Sequence, residues 1–87
     1  MAMAFEEKIL LLRRYEQRVY SICLHLVREE KLASEAAEAA LVALFGDPAF
    51  AAGSEGERSR SARAAAVRHA LLLHSNERGF DYARAHG

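Results

Sequence analysis

Cysteine occurs once in this chain, at Cys23, so neither an internal disulfide nor a multi-cysteine zinc site can form. Lying beside Ile22 on the apolar side of a helical stretch, this lone thiol reads as a small core residue. Net charge is lacking as well. Twelve basic and twelve acidic side chains cancel, and no overall field draws the molecule toward nucleic acid or an anionic membrane. No apolar run approaches the roughly 18 residues that span a bilayer, so no membrane association is expected. The start, MAMAFEEK, has neither the basic opening nor the apolar centre of a signal peptide, and a soluble protein of the reducing cytoplasm is expected.

Chemistry-bearing patterns are scarce too. There is no glycine-rich phosphate loop and no serine in a nucleophile elbow. His25, His69, His74 and His86 lack metal-ligand spacing: His69 and His74 are five apart and fall on different helix faces. Neither an enzyme nor a bound metal or cofactor is expected. Eighty-seven residues make one helical domain, 1–87. A chain of this size buries only roughly two-thirds of its unfolded surface, so a partner or a second copy would help cover its apolar area.

What is present is helical pattern. Phe5, Ile9, Leu12, Tyr15, Val19, Ile22 and Leu26 recur three and four apart, and this stripe predicts a first helix from about Ala4 to Glu30. Its opening turns are expected to overhang the bundle, with Leu10 and Leu11 exposed as an apolar patch able to join two copies or receive another protein. Ser34 reads as the N-cap of a second helix, EAAEAALVALF, which stops at Gly46 before Asp47-Pro48. AFAAGSEGERS reads as a loop from which Phe50 returns to the core. A third helix, capped by Ser59 or Ser61, should stop at Gly79, with Phe80 packing back behind it. No segment alternates with period two over a useful length. The fold expected is all-α: a three-helix bundle with a long first helix.

Charge is distributed unevenly along this pattern. Residues 1–31 carry six basic and five acidic groups. Residues 32–56 carry Glu35, Glu38, Asp47 and Glu55 and no basic residue, and residues 57–87 carry six arginines against three acids. Glu35 and Glu38, three apart on one helix face, are therefore free to meet arginines of a partner, or are simply the solvated start of a helix. Arg58, Arg60, Arg63 and Arg68 form a basic set that can touch phosphates, or simply a solvated face.

The order of these features resembles a known family. VYSICLHLVREEKLASEAAEAALVALF is similar to the start of the second conserved region of bacterial sigma factors, especially the extracytoplasmic-function type. Val19-Tyr20 match the family's valine–tyrosine pair, and Cys23 takes its small-residue position. Ala33, Glu35 and Glu38 match its acidic helix, and Phe45 stands at its terminal aromatic. Arg63, Arg68 and Ala70 fall where the family has similar residues, over a weaker match at 57–76. The segment ARAAAVRHA departs from it, with Ala65 near the usual tryptophan, and so lacks the rings that capture unstacked bases.

This resemblance implies a sigma-region-2-like, stand-alone transcription adaptor. It would dock on the β′ clamp helices of RNA polymerase through Glu35, Glu38, Val42 and Phe45, without promoter-melting aromatics of its own. Arg60, Arg63 and Arg68 are the candidates for a weak DNA contact. The alternative is a small helical interaction or regulatory module, either self-associating as a homodimer through the first helix or mimicking a sigma factor toward an anti-sigma-like partner.

Overall fold

The computed structural model describes the backbone from Ala4 to His86 and the side chains from Ala4 to His74. Strong helix formers, an apolar stripe and Glu6 and Glu7 in the first turn place helix α1 at Phe5–Val27. It ends before the expected Glu30 because Arg28 adopts a left-handed conformation, φ 58°, and its amide donates to the Leu24 carbonyl at 2.8 Å. That closure normally favours glycine. Glu29 is extended, and α2 runs Glu30–Phe45. Ser34 consequently lies inside α2 and does not cap it.

Gly46 and Asp47 end α2 as expected, but they also begin something. Asp47 Oδ1 accepts the Ala49 amide at 3.0 Å, Pro48 takes the first helical position, and Pro48–Ala52 forms the short helix α3. The stretch expected to be a loop is thus partly helical. It ends in a capping box that starts α4, Glu55–His86. Ser54 Oγ accepts the Glu57 amide at 3.2 Å, while the Ser54 amide donates to Glu57 Oε1 at 2.9 Å. Gly53 fits between these helices because a Cβ there would lie 3.0 Å from the Ala49 carbonyl and 3.2 Å from Glu57 Cβ. Ser59 and Ser61 lie within α4 and cap nothing. Gly79 does not stop the helix, which continues to His86, so the last helix and not the first is the longest. The Phe80 side chain, expected to pack back, lies outside the described residues.

Three long helices therefore make the expected all-α bundle, with α3 as a short fourth element; no strand occurs among the described residues. Specific contacts fix the directions. Phe5 packs on Phe45 and Lys8 Nζ reaches the Phe45 carbonyl at 3.5 Å, so α2 runs antiparallel to α1. Arg14 approaches Glu55, Arg18 NH1 donates to Ser59 Oγ at 2.9 Å, and Cys23 Sγ lies 3.6 Å from the Ala66 carbonyl, so α4 runs parallel to α1. The start of α1 does not overhang the bundle. The end of α2 and α3 cover it, and Leu11, expected to be exposed, is buried with Phe50 and Leu44.

The buried row of α1 is Leu11, Tyr15, Val19, Cys23 and Val27, each four apart, and only Tyr15 and Val19 belong to the expected stripe. The row is rotated because α1 touches two helices and buries the sector between them. The stripe members Ile9, Leu12 and Ile22 become half-buried shoulders, and Phe5 and Leu26 are exposed. Against this row stand Ala33, Ala36, Ala37 and Ala40 of α2 and Ala62, Ala66 and Ala70 of α4, all buried. Facing alanines let the helix backbones approach closely, as the Cys23–Ala66 contact records. Phe50 seals one end at 2 % exposure, its ring edge-on to Tyr15 at 5.5 Å.

This seam has no room for a larger side chain. Ala66→Leu is expected to lower stability by about 1–3 kcal/mol through overpacking, whereas Ala64→Leu on the exposed side of α4 should change it by less than about 0.5 kcal/mol; urea unfolding measures both. The capping box gives a pH signature. The Ser54 amide and then its hydroxyl hold the Glu57 carboxyl below its ordinary value of 4.5, with a smaller contribution from Arg60. A depressed folded value stabilises above the unfolded one and is lost as pH falls through the folded value. Glu57→Ala should therefore lower the urea midpoint at pH 7, and the gap to wild type should close as the solution is acidified below about pH 4.5.

Candidate functional site

Alanines at the seam leave the larger apolar side chains on its shoulders, and there they line two grooves that share α1 as a wall. The larger groove lies between α1 and α2 and has a volume of about 840 Å³. Ile9, Leu12 and Leu41 form its apolar floor, and Phe5, Val42 and Phe45 form one end. Val42 and Phe5 are each 67 % exposed, a high value for such residues. Phe45 is held by Phe5, edge-on at 5.5 Å, and by the Lys8 ammonium 5.2 Å above its ring. Lys8 also bonds the Phe45 carbonyl, so one side chain positions the aromatic and closes the end of α2.

Three of the four residues expected to bind a partner meet in this groove: Glu38, Val42 and Phe45. Glu35 is exposed but lies outside the lining. Because α2 begins at Glu30 and not near Ser34, Lys31 sits on the same helix one turn before Glu35, so Glu35 has a cation at neighbouring helical spacing. Across the groove, Arg13 and Glu16 of α1 complete a mixed rim with Glu38. Glu16 was not singled out from the sequence; the pairing of α1 with α2 makes it a rim residue.

The second groove, about 680 Å³, lies between α1 and α4. The arginines expected near nucleic acid divide there. Arg60 and Arg63 line this groove with Arg18 and His25 of α1, whereas Arg68 lies on the separate α2–α4 side near Asp47 and His69. Arg58, the other member of the basic set, points inward: its Nε donates to the Phe50 carbonyl at 3.1 Å and its NH2 to the Ala51 carbonyl at 2.6 Å, tying α3 to α4. The three-arginine line of the sequence is therefore not one surface.

Cys23, between these grooves, is fully buried, and desolvation raises its thiol above the ordinary 9.0. It is a packing residue held protonated. Among the described residues no helix is long and apolar enough to cross a membrane. Searches against protein-family models, curated proteins and solved structures find no match to this chain.

The Phe5–Phe45 contact is expected to shape the first groove. A double-mutant cycle of Phe5→Ala and Phe45→Ala, read by urea unfolding, should give a coupling of about 0.5–1.5 kcal/mol, the range of edge-to-face pairs. A coupling near zero would mean that the two rings do not hold one another in solution.

Proposed function

We propose that the protein is a helix-docking adaptor of bacterial transcription, sigma-region-2-like, which receives the β′ clamp helices of RNA polymerase in the α1–α2 groove. The observation that carries this reading is the groove itself. Glu38 and Phe45, matched to the family's acidic helix and its terminal aromatic, line one concave apolar surface with Val42 between them and carboxylates on its rim. A coiled-coil partner fits such a surface through apolar ridges, and its arginines meet Glu16 and Glu38. Apolar burial supplies the affinity, and the charges set orientation and association rate. The role is binding and not catalysis.

Binding of the purified protein to an immobilised β′ clamp-helix fragment tests this. Wild type should bind, Glu38→Arg with Val42→Asp should weaken binding by about tenfold or more, and Glu35→Arg alone should weaken it less. Absence of wild-type binding would overturn the polymerase reading. Self-association through the first helix is favoured by a separate observation, the exposure of Phe5 and Leu10 on α1 at 67 % and 64 %. It predicts a concentration-dependent dimer in analytical ultracentrifugation, and a monomer at every concentration contradicts it.

A further inference from the structure

The groove between α1 and α4 differs from its neighbour in charge. Arg18, His25, Arg60 and Arg63 rise around an apolar floor of Ile22, Leu26 and Val67, and among the described residues none that lines the groove is acidic. The nearest carboxylate along α4, Glu57, is turned back to the Ser54 amide in the capping box. Arg18 is held in place by its bond to Ser59 Oγ and by the Tyr15 ring 5.8 Å away, which leaves the remainder of its guanidinium fork free to donate. Leu26 and the arginines at 60 and 63 are exposed.

We propose that this groove is a second docking site, whose occupant is an acidic amphipathic helix of a partner protein. The chemistry selects that class. An apolar floor takes a stripe of leucine-like side chains at three- and four-residue spacing, and the basic rim takes glutamates flanking the stripe. A nucleic-acid strand would use the rim but leave Ile22, Leu26 and Val67 in water, and among the described residues no phenylalanine, tyrosine or tryptophan lines the groove for its bases to stack on. An α-helix is about 10 Å wide with its side chains and lies along such a groove between two parallel helices. The two grooves open on opposite shoulders of α1, so the protein would bridge two helical partners. This site stands apart from the α1–α2 groove, and failure of clamp helices to bind would leave it untouched.

The probe is a fluorescein-labelled synthetic helix with leucines at i, i+3, i+4 and i+7 and glutamates on both flanks, followed by anisotropy in low salt. Its controls are the same helix with lysines for glutamates, and a labelled oligothymidine. The acidic helix should bind, added salt should weaken it, and the lysine helix and the oligonucleotide should bind at least about tenfold more weakly. Arg60→Glu with Arg63→Glu should weaken the acidic helix by about tenfold, and Val67→Asp should do so without a change in rim charge. Glu38→Arg, in the other groove, should leave it unchanged. Circular dichroism identifies a variant that fails to fold, and Arg60→Gln with Arg63→Gln then replaces the charge reversal. Preference for the oligonucleotide, equal binding of both helices, no binding of any probe, or indifference to both Arg60/Arg63 pairs would each overturn the proposal.

Discussion

Close approach of three helices over facing alanines is the constraint on which the rest of the molecule depends. Among the described residues Val19 and Cys23 are the largest side chains that are fully buried; the other positions of the seam are mostly alanine. Cys23 lies against the Ala66 carbonyl because nothing larger than a methyl separates α1 from α4 at that level. A seam this thin cannot accommodate Leu12, Ile22 or Leu41, so those residues sit on the shoulders of the bundle. The grooves are the result. Their floors are apolar because the core is too narrow to hold all the apolar side chains that the sequence supplies.

The same constraint bears on stability. Burying alanine removes little apolar area from water at about 25 cal/mol per Å², and α3 compensates locally by bringing Phe50 onto Tyr15. Helix-end devices add further support: Lys8 on the Phe45 carbonyl, Arg58 on the Phe50 and Ala51 carbonyls, and the Ser54–Glu57 box. Each satisfies backbone groups that a helix end leaves without partners. Arg58 shows how one residue changes meaning with its surroundings. In the sequence it belongs to a basic line, whereas in the fold it fastens α3.

Much of the architecture was legible in the sequence. The helical period, the lack of strand pattern and the stop at Gly46-Asp47-Pro48 are local signals, and they gave the three long helices and the return of Phe50 to the core. The failures have physical causes. The α1–α2 break rests on Arg28 in a left-handed conformation, which no glycine announces. Asp47-Pro48 stops one helix and starts another, and Ser54-Glu55-Gly56-Glu57 spells a capping box that the neighbouring glycines obscured. The stripe on α1 gave the apolar sector, but its centre depends on where two other helices press, and that is tertiary information. The grouping of Glu35, Glu38, Val42 and Phe45 came from the family resemblance, and three of the four share the groove; the addition of Glu16, the exclusion of Glu35, and the separation of Arg68 from Arg60 and Arg63 required the fold.

Function in this account rests on shape created by small residues. Two concave surfaces, one with a mixed rim and one whose charged side chains are arginines, flank a single helix, and the proposed partner of the first is the β′ clamp of RNA polymerase. The most direct measurement is a backbone-amide NMR titration of the labelled protein with a β′ clamp-helix fragment. Shifts concentrated on residues 9–20 of α1 and 37–45 of α2 are expected, with amides 59–67 of α4 unmoved. Shifts confined to α4, or none at saturating fragment, would contradict the proposed docking.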